Sequence, residues 1–82
     1  MLTYAHNFQT GSQGQKIEYF CITWDGNRLF DHEIAHHMKT SIVKFDEICQ
    51  ACNGYLEHNA DNWKFCNIED LERAMMVLKL MK

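Results

Sequence analysis

A chain of 82 residues with 46% hydrophobic and 12% aromatic residues has the composition of one small globular domain over 1–82, far from the low-hydrophobicity signature of disorder. Eight Lys and Arg against eleven Asp and Glu leave a formal charge of -3, which offers no basic field for phosphates and argues against nucleic acid as a partner. No run approaches the ~20 apolar residues that span a bilayer, and Met1–Phe8 lacks the basic-then-apolar order of a secretory signal, so a cytoplasmic protein with reduced Cys21, Cys49, Cys52 and Cys66 is expected.

Taken in chain order, residues 1–9 read as a short first strand with Leu2, Tyr4 and Phe8 as its apolar members, and Thr10–Gln15 as a loop. Ile17–Trp24 is rich in β-branched and aromatic residues. Period two places Phe20, Ile22 and Trp24 on one face and Tyr19, Cys21 and Thr23 on the other. Asp25-Gly26 predicts a tight turn, because both turn positions need positive φ, with Asn27–Phe30 returning as the second strand of a hairpin over residues 17–30.

Asp31 predicts an N-cap, its carboxylate accepting from unpaired amides of the first turn. Ile34, Met38, Ile42, Phe45, Cys49, Cys52 and Leu56 recur at three- or four-residue intervals, which predicts one long helix from about 32 to 53, with Gly54 as its left-handed stop. Tyr55–Asn59 and Asn62–Cys66 can pair around Asn59–Asn62, and at the least a strand is expected near 62–66. Asn67 predicts the cap of a C-terminal helix over about 68–81. Glu69 and Asp70 suit its positive end, Lys79 and Lys82 its negative end, and Ile68, Leu71, Met75 and Leu78 its buried stripe. The expected fold class is α+β, a small, mostly antiparallel sheet packed against these two helices.

One motif carries chemistry. His32-Glu33-Ile34-Ala35-His36 matches H-E-x-x-H, in which two histidines one helical turn apart face a single Zn²⁺ and the glutamate deprotonates a metal-bound water. Over these few residues the chain resembles the zincin metallopeptidases, and His32–His37 looks especially like the small metallopeptidases that act on prophage repressors. The resemblance implies zinc as cofactor, His32 and His36 as ligands, Glu33 as general base, and Glu57 or His58 as third ligand.

The chain departs from the longer zincin patterns. Lys39 stands where one wants glycine and Ile42 where it wants a third histidine; another wants glutamate where Leu56 stands, and Glu57 comes one position late. A helical wheel puts His32 and His36 opposite the apolar stripe, as in a ligand-bearing cleft or an ordinary solvated face. Cys49 and Cys52 with His58 and Cys66 have the residue order of a retroviral-type zinc knuckle, with longer spacings before and after the histidine. The same two cysteines continue the apolar stripe, where a thiol serves as a small hydrophobe.

Met38, Met75, Met76 and Met81 read as helix core filler, with Met76 and Tyr19 the apolar residues most open to a partner. No phosphate loop or nucleophile elbow is present. The reading that follows is a non-enzymatic module whose partner is another protein, self-association included. In style it is similar to accessory or inhibitor proteins of phages and other mobile elements. A zinc-dependent metallopeptidase-like protein is the alternative.

Overall fold

The computed structural model describes residues 1–58 and 60–81. Its elements are β1 (Leu2–Thr10), β2 (Lys16–Trp24), α1 (Asp31–His37), α2 (Ile42–Ala51) and α3 (Ile68–Leu80), a small α+β fold. The two strands form an antiparallel sheet in continuous register from Leu2 opposite Trp24 to Thr10 opposite Lys16.

β1 is therefore the partner of β2, and the hairpin closes at residues 11–15 rather than at Asp25-Gly26. At the closing turn Gly11 N donates to Gln15 O at 2.7 Å, and Gly14 sits at φ +81. The Asp25-Gly26 turn does form, with both residues at positive φ and paired bonds between Trp24 and Asn27. It stops after that one bridge, so Asn27–Phe30 is not a strand. Nine residues of β1 outcompete four for the same edge of β2. The opposite edge of β2 is taken by Phe65, whose amide and carbonyl exchange bonds of 2.9 and 2.8 Å with Phe20. The strand expected near 62–66 thus reduces to two bridges, Phe65 to Phe20 and Lys64 to Tyr55. The turn expected around Asn59 includes a residue outside those described.

The long helix expected over 32–53 is two helices. Lys39 takes φ +60, Lys39 N bonds His36 O and Thr40 N bonds Ala35 O, a left-handed termination that closes α1. Ser41 then caps α2, its Oγ accepting from Lys44 N at 3.1 Å. Periodicity did not reveal the break because both helices turn apolar residues to the same core: Ile34, Phe45, Cys49 and Cys52 are all buried. Ile42, which a continuous helix would carry inward, is exposed just past the break. At the end of α2 the left-handed residue is Asn53 rather than Gly54. Gly54 is needed for space instead, since a Cβ there would lie 2.8 Å from Cys49 O.

The N-cap of α1 is Phe30, and Glu33 Oε1 accepts from its amide at 3.1 Å. Asp31 lies just inside the helix, and its carboxylate caps nothing there. α3 begins after Asn67, as the sequence predicts, though the Asn67 side chain makes no capping bond, and it buries Leu71, Ala74, Met75 and Leu78. The core lies between β2 and the helices, with Phe20, Ile22, Ile34, Phe45, Phe65 and Leu71 at its centre. No helix among the described residues is long and apolar enough to cross a membrane.

Candidate functional site

The H-E-x-x-H segment spans α1, with His32 and His36 exposed on its outer side. The His32 ring stacks on Phe30 at 5.7 Å. His36 lies edge-on to His37 at 6.3 Å, and His37 stacks on Trp24 at 5.4 Å. Glu33 spends its carboxylate on the Phe30 amide, which positions it as a helix cap. Glu57 accepts from Gln9 at 3.0 Å and pairs with Lys64 at 3.1 Å, and these partners hold its carboxyl below the usual range. His58 is exposed. Among the described residues no three His, Cys, Asp or Glu side chains converge as a metal site requires. Of the donors that the zincin resemblance implies, Glu33 is thus spent on a helix cap and Glu57 on surface pairing.

The cysteines follow their packing. Cys21, Cys49 and Cys52 are buried free thiols and Cys66 is an exposed one. Burial pushes the Cys21 and Cys49 thiols up, away from the thiolate that metal binding or nucleophilic attack needs.

Asp31 is the buried charge of the molecule, only 4% exposed. Its carboxylate accepts from Trp63 N at 2.7 Å and from Asn62 Nδ2 at 3.1 Å, tying the start of α1 to the segment that pairs with β2. Burial pushes its pKa up to about 6 despite those donors. Asp46 accepts from Trp63 Nε1 at 2.7 Å. Both aspartates are thereby structural anchors for one tryptophan.

The surface that the fold leaves unfinished is the C-terminal half of α3. At about 100° per residue, Met76, Val77 and Leu80 point away from the stripe of Leu71, Ala74 and Leu78. Met76 is 64% and Leu80 80% exposed. One turn or two earlier the same outward side carries Glu69, Glu72 and Arg73 and is plainly polar. Grooves lie on both sides of this apolar half. One, of about 770 Å³, is lined by Leu2, Trp24, His37, Met38, Leu78 and Met81. The other, about 270 Å³ between α2 and α3, is lined by Ile48, Ala51, Cys52, Val77 and again Met81.

Lys39 and Lys79 rim the larger groove, and the smaller carries Lys44 beside Glu47. Sequence reading flagged Met76. It missed the grooves, because their walls come from β1, β2 and all three helices. Tyr19, flagged beside it, is buried under Lys64, whose Nζ lies 4.6 Å above its ring. Comparison with protein families, with curated proteins and with solved structures found no match to this chain.

Proposed function

We propose that this chain is a non-enzymatic protein-binding module that docks through the C-terminal half of α3, and that its partner presents an amphipathic helix flanked by acidic residues. The observation that carries the reading is the apolar outward patch of Met76, Val77 and Leu80, set between two apolar grooves, the larger of which is rimmed by Lys39 and Lys79. A small domain that leaves a contiguous apolar patch with a charged rim in water marks an interaction site more often than not. Grooves beside a helix suit the evenly spaced anchors of a partner helix. The lysine rim supplies the sign: an acidic flank is attracted and a basic one repelled. Occupying a face of another protein is how an accessory or inhibitor protein acts, and four free thiols suit a cytoplasmic setting.

Trp24 lines the larger groove and reports on its occupation. A leucine-bearing helical peptide with glutamate flanks is expected to shift the Trp24 emission saturably. The same peptide with lysine flanks should bind at least ~10-fold more weakly, a difference that shrinks with added salt. Leu80→Glu, at an exposed position, should leave the fold intact and abolish binding. Equal binding by both peptides, or no effect of Leu80→Glu, would overturn the reading.

A further inference from the structure

A second unfinished surface is the open edge of the hairpin, which touches the larger groove at Leu2, and its argument does not use the α3 reading. β1 is the open edge of the sheet: β2 pairs it on one side, and among the described residues no strand pairs it on the other. The direction of its backbone groups follows from the ladder. Phe20 spends its amide and carbonyl on Phe65, away from β1, so the Phe20–His6 pair makes no bonds across the hairpin. By alternation Thr3, Ala5, Asn7 and Gln9 bond to β2, while the amides and carbonyls of Leu2, Tyr4, His6, Phe8 and Thr10 point outward. Among the described residues none of these outward groups has a hydrogen-bond partner outside the sheet.

Exposed edges are ordinarily blunted by lysine or other charges, proline, bulges or shortness. β1 has none of these. It runs nine residues in unbroken register as Leu-Thr-Tyr-Ala-His-Asn-Phe-Gln-Thr, with no charged residue and no proline, in a chain that is 23% charged. Tyr4 and Phe8 are 50% and 49% exposed along it. The helix contacts of the sheet are concentrated on β2, with Leu2 at the base of β1 also in the core.

We infer that the open edge of β1 pairs antiparallel with β1 of a second copy of this chain, about a two-fold axis at His6, giving a four-stranded sheet of order β2-β1-β1-β2. The occupant is argued from symmetry. Two antiparallel edges can bond only where outward-pointing residues face outward-pointing residues. Centring the pair on His6 sets Leu2 opposite Thr10, Tyr4 opposite Phe8, and His6 opposite its own copy. Every residue with outward groups then meets another such residue, and the whole strand is used. Shifting the register by one residue would oppose outward to inward groups throughout.

The side chains agree with the backbone. Tyr4 and Phe8 become cross-strand aromatic neighbours twice over, on the face where their own chain already arranges them. His6 stacks on Phe20 at 4.6 Å and lies 4.8 Å from Phe8, and Lys16 Nζ sits 4.1 Å over the Phe8 ring. β1 carries no Asp, Glu, Lys or Arg, and His6, set opposite its own copy, pairs with Glu18 of its own chain at 3.1 Å. A strand-only contact is a small interface, so the dimer is weak and its population depends on concentration.

The test is sedimentation equilibrium of the full chain from roughly 5 to 500 µM, a span in which weak dimers populate, with amide exchange followed by NMR. The expected result is a monomer–dimer equilibrium, with protection of the Tyr4, His6 and Phe8 amides rising with concentration. His6→Pro removes an outward amide that β2 does not use, so the hairpin keeps its bonds while the dimer is lost at every concentration. Leu80→Glu should leave the dimer unchanged, which separates this interface from the α3 surface. A chain monomeric throughout the range, or a dimer that survives His6→Pro, overturns the inference. Should His6→Pro fail to fold, the wild-type amides decide: exchange of Tyr4, His6 and Phe8 that is fast and independent of concentration overturns it as well.

Discussion

β1 and β2 are strands of equal length, paired residue for residue, and their surroundings are opposite. β2 is buried without interruption from Tyr19 to Thr23, on both of its faces, whereas β1 alternates between half-buried and exposed after Leu2. Strand content alone does not account for this, since Tyr4, His6 and Phe8 are as aromatic as Tyr19, Phe20 and Trp24. The difference is in the number of neighbours. β2 has β1 on one edge, Phe65 on the other, α1 and α3 on one face, and Lys64 over Tyr19 on the other face. β1 has β2. A strand's sequence says what it can bury; its place in the sheet decides how much it does.

The sharpest test uses one cross-strand pair, Tyr4 and Ile22. Ile22 is nearly inaccessible, and Ile22→Ala should cost about 2–5 kcal/mol by urea unfolding, the range for emptying a packed aliphatic site. Tyr4→Ala, directly opposite, should cost about 1 kcal/mol or less in the monomer. Similar losses at the two positions would mean that β1 is packed as firmly as β2.

Next in size is the anchor of the third segment. Asp31 holds Trp63 N, two residues before the Phe65 that occupies the far edge of β2. Its folded pKa of about 6 lies above the ordinary carboxylate value near 3.8. Below about pH 4 the group is neutral in both folded and unfolded chains, and its contribution is fully present. As pH rises through about 6 the folded chain must hold a desolvated charge that the unfolded chain holds in water, so stability is lost by up to about 3 kcal/mol. Unfolding of wild type and Asp31→Asn at pH 4 and pH 7 should show the wild type losing ground to the variant by that amount. A pH-independent difference would mean that Asp31 stays ionised in the fold at low cost.

The smallest expected effect lies at the free end of the hairpin. Gly14 has φ +81 and open space around its Cα, so Gly14→Ala is strained by conformation alone. A loss of about 1 kcal/mol is expected, read as faster amide exchange at Asn7 and Gln9 with little change at Thr3. Equal loosening along the whole hairpin would show that its tip and base unfold as one unit.

Much of the fold was legible because it depends on neighbours in sequence. The alternation of Tyr19–Trp24 gave β2, Asn67 with Glu69 and Asp70 gave the start of α3, and the Asp25-Gly26 turn formed where its dipeptide required. The illegible parts were competitions. Asn27–Phe30 had the right turn but lost the edge of β2 to a longer strand. The break between α1 and α2 lay in Lys39, a residue type that rarely takes positive φ, and in Ser41, whose capping role was hidden inside an unbroken apolar period. The H-E-x-x-H motif was legible as a string of letters. Its chemistry was not, because the spacing of two histidines says nothing about whether a third donor reaches them, and among the described residues none does.

By itself the sequence determined the α+β class, the C-terminal helix, the second strand, and which cysteines serve as small hydrophobes. These follow from local conformational preference and from the period at which apolar side chains recur. Only the tertiary structure decided which strand pairs with β2, where the central helix divides, what Asp31 binds, and which apolar residues of β1 and α3 remain in water. Each of those outcomes depends on which of several distant segments reaches a given edge, donor or face first in free energy, and that ranking is a property of the packed molecule.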